Sequence, residues 1–480
     1  MTDSRGGATN VLERLDQRAP TRFYWSLTLL ATVGGFLFGY DTANIGSALN
    51  FVPYPLTGLA LGYLVSGTSL GAAAGALLAG PLTDRFGRKS LLIADAVIYA
   101  AGALLAAFTP TAAVLVIART LIGLAIGADS AIATAYIAEY APRNRRGSLG
   151  ILQQWMITVG ILVSYLIALV IFLLLPSNAK TLDWRLIFGL GAVPALIAFV
   201  LRARMPESPR WLLRKGHYDR VQDALAWFGV HVTRADVEYT ARVLQTSAPP
   251  RTGRKAWTPG VRRALVVVCG FFAFQQITGI NVPLYYGPHL LGPLFQTGGN
   301  STLDSTIAGV EVTAVMTVVN VAATYFAFRY IDRLGRRTLS IGGFTGMAVS
   351  ALVAAAGLGL LDGTARIVVT TVGLCLFIAC FAIGVGGTGW LLQGEVFPTD
   401  VRGQAAAAGA TVDWLANFAV IMVVPVWEAA IGLGWVMVCF AALCVFAVVF
   451  VRRWLPETKG RSVEEITEVF EQEKAGAGAR

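Results

Sequence analysis

Apolar runs of about 20 residues, long enough to cross a hydrocarbon core about 30 Å thick, recur along the chain from Phe23 to Phe450 between short polar stretches. The pattern predicts twelve spans, near 23–45, 57–80, 90–109, 112–138, 148–175, 185–202, 262–290, 305–328, 338–361, 365–391, 404–427 and 432–452. Lipid offers no partner to a free backbone group, so each run must satisfy its own N–H and C=O groups as a helix. The expected fold is an all-α membrane protein with twelve transmembrane helices. The longest polar stretch mixes charge with Trp211, Leu212, Leu225, Trp227, Phe228, Val243 and Leu244, as short amphipathic helices lying on a membrane face would. Ser462-Val463-Glu464-Glu465 reads as a capping box that opens a short polar helix.

The pattern also repeats. Asp84-Arg85-Phe86-Gly87-Arg88 returns as Asp332-Arg333-Leu334-Gly335-Arg336, each after the second span of six. Glu139, Pro142, Arg146 and Gly147 return at one constant offset as Glu395, Pro398, Arg402 and Gly403, and Pro206-Glu207 returns as Pro456-Glu457. Three motif pairs in one order, about 250 residues apart, mark an internal duplication. The expected organisation is a cytoplasmic segment 1–22, a six-helix bundle 23–202, a cytoplasmic helical linker 203–260, a second six-helix bundle 261–452 and a cytoplasmic tail 453–480. Repeats of this kind build alternating-access transporters, which hold the solute near mid-membrane between the halves.

Charge refines this picture. Only 14% of residues are charged, against roughly 25% in soluble domains. Lys and Arg gather where even-numbered spans end: Arg85, Arg88 and Lys89; Arg143, Arg145 and Arg146; Arg202 to Lys215; Arg333, Arg336 and Arg337; Arg452, Arg453 and Lys459. The positive-inside rule then puts both termini in the cytoplasm of a multi-pass cell-membrane protein, surrounded by lipid and expected as a monomer. Topology accounts for the net charge of +10, and no nucleic-acid partner is expected. The first 22 residues lack a signal-peptide pattern. The five cysteines sit in apolar spans without C-x-x-C spacing and the three histidines are scattered, so neither a metal site nor a cofactor is expected. With no nucleophile-base set either, an enzyme is not expected.

At this point the ordered motifs support a resemblance. Gly39-Tyr40-Asp41, the Asp84 and Asp332 pentapeptides, Tyr136-Ile-Ala-Glu139, Pro206-Glu-Ser-Pro-Arg-Trp211, Gln275-Gln-Ile-Thr-Gly-Ile-Asn281, Glu395-Val-Phe-Pro398 and Pro456-Glu-Thr-Lys-Gly460 occur in this order. In this the chain resembles the sugar porter family of the major facilitator superfamily from about 30 to 470. The resemblance implies import of a monosaccharide or polyol by alternating access, with proton symport through Asp41 and the modulating Arg119. It implies solute contacts at Gln154, Gln275, Gln276, Asn281, Asn320, Trp390 and Trp414, with Tyr285 and Tyr286 as an outer gate.

The residue chemistry agrees. Charge within a bilayer is costly, which makes Asp41 and Arg119 functional candidates by position alone; a static ion pair that fixes helix packing is the plainer reading. Gln275, Gln276 and Asn281 are amides in an apolar span and suit hydroxyls, although packing between helices would also use them. On a straight helix Gln276 and Asn281 would lie about 140° apart, but Gly279 and Pro283 predict that this span is broken, as expected at a transporter binding site. An indole ring can stack on a sugar face while its N–H donates. A cytoplasmic latch is expected from Asp84, Arg85, Gly87, Arg88, Glu139, Arg146, Glu207, Arg210, Asp332, Arg333, Gly335, Arg336, Glu395 and Arg402, closing the inner side when the site faces outward.

Some positions depart from the family pattern. Ile161 stands where a glutamine is common, and Asp413 stands before Trp414 where Gln or Asn is usual, leaving a polar solute, a proton or a cation as its partner. Asp95 and Asp129 are further acids inside spans. An uncoupled sugar facilitator and a non-transporting nutrient sensor are the alternatives; the first lacks use for Asp41 and Arg119, and the second normally carries a longer tail.

Overall fold

The computed structural model describes residues 10–11, 22–140, 146–227, 230–246, 256–295, 301–459, 461, 465–466 and 468–471; the side chains of 22–31, 134–135, 137–140, 146–151, 244–246, 332 and 399–400 lie outside that description. The described elements are helical. The first half consists of α1 (Arg22–Ala48), α2 (Gly58–Phe86), α3 (Arg88–Ala107), α4 (Ala112–Tyr140), α5 (Arg146–Leu174) and a sixth span made of α6 (Trp184–Gly189) and α7 (Ala192–Ala203). Three short helices follow, α8 (Pro209–Arg214), α9 (Tyr218–Trp227) and α10 (Arg234–Thr246). The second half holds α11 (Pro259–Ile277) and α12 (Val282–Leu291), α13 (Thr302–Leu334), α14 (Arg336–Leu360), α15 (Gly363–Phe381) and α16 (Gly387–Val396), and α17 (Thr399–Trp454).

Ten helical stretches among the described residues are long and apolar enough to cross a membrane. The last of them is two spans that meet at Gly432 (φ 78°, ψ 153°), a left-handed kink that a glycine adopts without steric cost. With α1 these make the expected twelve. The difference from the sequence pattern lies at that junction, where one residue replaces the expected loop.

The halves meet along two seams, α2 against α17 and α5 against α13. Inside the first half, α2 and α4 approach at backbone distance. The carbonyls of Thr120 and Leu124 cover Gly71 and Gly75, and those of Thr68 and Ala72 cover Gly123 and Gly127, leaving no room for a Cβ at any of the four. Lipid tails are as apolar as side chains, so such close approach supplies dispersion contact where the hydrophobic effect supplies little.

The duplicated motifs form one device twice, at the end of the bundle where Val11, Phe470 and α8 to α10 lie (the near end). Gly87 (φ 93°) and Gly335 (φ 88°) turn the chain between adjacent spans. Beneath each sits a carboxylate. Glu207 accepts from the backbone N–H of Arg88 (3.0 Å) and Lys89 (3.2 Å), while Glu457 accepts from Arg336 (2.9 Å) and Arg337 (3.1 Å). Each satisfies free N–H groups at a helix start and sits at the positive end of its dipole. Burial pushes the Glu207 carboxyl above the usual carboxylate range, against the pull of the Ser208, Lys89 and Arg88 amides.

Helices α8 to α10 are amphipathic as expected. Leu212, Leu213, Val221, Leu225 and Val237 bury against Ala133 and Tyr136 of α4, and Ser208 caps α8 by accepting from the Trp211 N–H at 3.3 Å. Trp227 remains exposed. Phe228 and residues 462–464 of the expected capping box lie outside the described residues.

Candidate functional site

A cavity of about 990 Å³, counted with the solvent at its mouth, lies between the halves. Its second-half wall is built around two interrupted spans. Between α11 and α12 the helix breaks at Thr278–Asn281, with Gly279 at φ 88°. That break lets Asn281 Nδ2 donate to Gln276 Oε1 at 2.8 Å, and Gln276 Nε2 donates onward to Asp413 Oδ1 at 2.7 Å. Between α15 and α16 lies a π-helical turn, Ala382–Gly386. Gln275 Nε2 donates to its carbonyls at Val385 (3.0 Å) and Gly386 (2.9 Å), which fixes the amide. Such turns, in which the regular hydrogen-bond ladder slips, recur at functional sites.

All seven residues expected to touch solute line this one cavity: Gln154, Gln275, Gln276, Asn281, Asn320, Trp390 and Trp414. Asp413 and Ile161 line it too. Phe38 meets the Trp414 ring edge-on at 4.8 Å across the halves, and Phe272 meets Trp390 at 5.3 Å. Gln275 Oε1, Trp414 Nε1 and Asn417 Oδ1 are buried without a hydrogen-bond partner among the described residues. Each such group costs free energy until something polar meets it. Asn417 and Thr42 were not singled out in the sequence, although Asn417 follows Asp413 by one helical turn and so shares its face.

The charged groups sit differently. Asp41 and Arg119 form a 3.3 Å pair with both side chains 0% exposed. Arg119 Nε and Nη2 donate to the carbonyls of Leu64 (2.9 Å) and Val65 (3.1 Å) on α2, while Thr68 donates to Asp41 Oδ2 at 3.1 Å. Neither residue lines the cavity. A second pair joins Asp129 to Arg202, whose Nη1 also donates to the Leu92 carbonyl at 2.9 Å. Asp95 lies in the field of both, and its Oδ2 lacks a hydrogen-bond partner among the described residues. Asp129 does line the cavity. Its link to Arg202 had no signal in the sequence beyond the acids themselves, because the partner lies two spans away.

At the far end the halves are joined. Tyr165 donates to the Leu284 carbonyl at 2.6 Å, Asn50 donates to Thr306 at 3.0 Å, and His289 Nδ1 lies 2.6 Å from Asn50 Oδ1. Tyr285 and Tyr286 are fully buried beneath these contacts, with Tyr286 donating to the Ile421 carbonyl at 2.9 Å. At the near end several of the expected latch residues have partners in their own half. Arg88 pairs with Asp84 at 3.4 Å, and Arg336 pairs with Glu395 at 2.6 Å. Arg402 Nε donates to the Phe397 carbonyl at 3.0 Å, and Arg85 and Arg333 lie over the rings of Phe86 and Tyr330. Arg210 is half-buried in α8. The side chains of Glu139, Arg146 and Asp332 lie outside the described residues.

Known proteins resemble this chain in sequence and in fold. The profile of the sugar (and other) transporter family matches residues 27–470. The glucose transporter GlcP of Staphylococcus epidermidis is 34% identical over 94% of this chain and 97% of its own length. The arabinose-proton symporter of Bacillus subtilis is 31% identical over 92% and 94%. Among solved structures, the proton:xylose symporter XylE bound to 6-bromo-6-deoxy-D-glucose superposes with a TM-score of 0.77 at 30% identity, covering 94% of this chain and all (100%) of that one. A partially occluded inward open form of XylE from E. coli superposes at 0.78 with 28% identity, covering 92% and 100%. The chain is therefore a membrane transporter of the major facilitator fold and belongs to the sugar transporter family.

Proposed function

We propose that this protein imports a monosaccharide or polyol by alternating access, coupled to a proton through Asp41 and Arg119. One observation carries the reading: half-buried amides of the first half and buried amides of the second converge on a single cavity, with acceptor and donor atoms left for a hydroxylated solute. Gln154, Gln275, Gln276, Asn281, Asn320, Asn417, Trp390 and Trp414 bind the solute. Tyr285 and Tyr286 form the outer gate. The near end is cytoplasmic, with both termini there, and the protein works as a monomer in the lipid of the cell membrane. In that orientation the far-end contacts close the outside, and the paired near-end arginines become available to bridge the halves when the outside opens.

Coupling follows from the isolation of the Asp41 pair. Among the described residues its charged partner is Arg119, held in turn by α2 carbonyls. Separating α1 from α4 on opening outward would expose the carboxylate without its cation, the condition under which a buried carboxylate takes up a proton. Counterflow of radiolabelled sugars and polyols in proteoliposomes, with and without a pH gradient, tests the reading. Asp41→Asn should keep exchange and lose uphill uptake. Intact pH-driven accumulation by that variant would move coupling elsewhere, and absence of saturable exchange for the whole panel would sink the proposed function.

A further inference from the structure

Among the described residues two carboxylates line the cavity, Asp129 and Asp413, and no lining residue is Lys, Arg or His. Asp129 is compensated from behind by Arg202. Asp413 is not. Its Oδ1 takes the Gln276 amide, and among the described residues no ion pair and no second hydrogen bond reaches it. It is buried on α17, one helical turn from Asn417, whose Oδ1 is also unpartnered.

The chemistry of this wall differs from that of a neutral sugar site. An amide both donates and accepts, which matches a hydroxyl in either sense; an ionised carboxylate only accepts, and brings a charge. A charge removed from water is retained at a cost of several kcal/mol unless something compensates it. The oxygens nearby, Asn417 Oδ1 and Gln275 Oε1, are acceptors too. The cavity also presents Phe38, Phe381, Trp390 and Trp414. Indole and phenyl faces attract a cation electrostatically. Unpartnered acceptors, one uncompensated carboxylate and four aromatic rings around one space together describe a receptor for a donor-rich cation.

We infer that the transported solute is a hydroxylated molecule carrying a primary ammonium, an amino sugar or amino polyol, whose ammonium pairs with Asp413. Its N–H groups meet Asp413 Oδ2 and the free oxygens of Asn417 and Gln275, while its hydroxyls use Gln154, Asn281 and Asn320. The inference rests on the cavity being the solute site and narrows the class of solute. A bare metal ion fits less well, since it would need several oxygens around it and no acidic, histidine or cysteine cluster suited to a metal occurs among the described residues.

The test is counterflow in proteoliposomes holding the full chain. The panel pairs glucosamine and galactosamine with glucose and galactose, and with the N-acetylated amino sugars, which keep the hydroxyls and lose the charge. The expected result is exchange of an amino sugar at least tenfold more efficient than of its neutral and acetylated counterparts, with Asp413→Asn inverting that ratio. Should Asp413→Asn fail to fold, the comparison of charged with acetylated sugar on the unaltered protein decides the matter. Preference for the neutral sugars overturns this inference and leaves the proposed function standing. No exchange of any sugar or polyol removes both.

Discussion

The first half buries two ion pairs, Asp41 with Arg119 and Asp129 with Arg202, each arginine also tied to backbone carbonyls of a neighbouring helix. In the second half the cavity wall is made of neutral amides on interrupted spans, and the one carboxylate on it is hydrogen-bonded to an amide. The difference follows from what each group must do. A buried charge needs a compensating partner in its own bundle, which holds it until a rearrangement within that bundle draws the two helices apart. An amide that binds solute has to exchange partners every cycle, and a helix break aims it into the cavity with its own hydrogen bonds incomplete.

The largest effects should come from breaking a pair on one side only. Arg119→Met leaves Asp41 buried without a cation, which costs about 3–5 kcal/mol. A marked fall in thermal stability in detergent is expected, and the double variant Asp41→Asn with Arg119→Met should recover most of it. A single variant as stable as the parent would mean the pair is not held as ions. On the other wall Asn281→Ala should leave stability nearly unchanged. It removes the donor to Gln276 and disorders the chain of amides leading to Asp413, so the KM for whichever solute is exchanged should rise by about tenfold, the equivalent of about 1.4 kcal/mol. If Asn281→Ala instead destabilised the fold and spared KM, this wall would be packing rather than a binding surface.

A weaker effect tests the junction between the halves. Tyr165→Phe removes the hydrogen bond to the Leu284 carbonyl, worth about 0.5–1.5 kcal/mol. The open far end should become roughly 2–10 times more populated, read as faster labelling of a Thr42→Cys variant by an impermeant thiol reagent. Unchanged labelling would place the closure in the packing around Tyr285 and Tyr286 instead.

Much of this arrangement was legible in the sequence. Span length and the repeated pentapeptides fixed twelve helices in two halves, because hydropathy and duplication are properties of the chain order. Gly279 and Pro283 revealed the broken seventh span, since left-handed glycine and proline are local signals. What stayed hidden depended on contacts between distant helices. Arg202 reads as one more near-end cation until α7 is packed against α3 and its side chain reaches Asp129 on α4. Glu207 reads as a latch residue and Pro456-Glu457 as a bare repeat of Pro206-Glu207; that both carboxylates cap the helix behind their own glycine turn shows only in the fold. Asn417 carried a signal, its one-turn spacing from Asp413, and that signal was missed.

The smallest predicted effect concerns one of those caps. The Glu207 carboxyl is raised above its ordinary value of 4.5 because burial outweighs the amide hydrogen bonds. A raised acid binds more protons in the folded than in the unfolded state between the two values. Its contribution to stability is therefore complete below pH 4.5 and is lost as pH rises through the folded value, after which it stays level. Glu207→Gln has no proton to lose, so the difference in Tm between parent and variant should shrink, or shift in the variant's favour, as pH rises from 4.5 toward neutrality. The change should be on the order of 1–2 °C. A difference that grows with pH would show that the cap is held chiefly by its negative charge at the start of α3, making the helix dipole the stronger influence and burial the weaker.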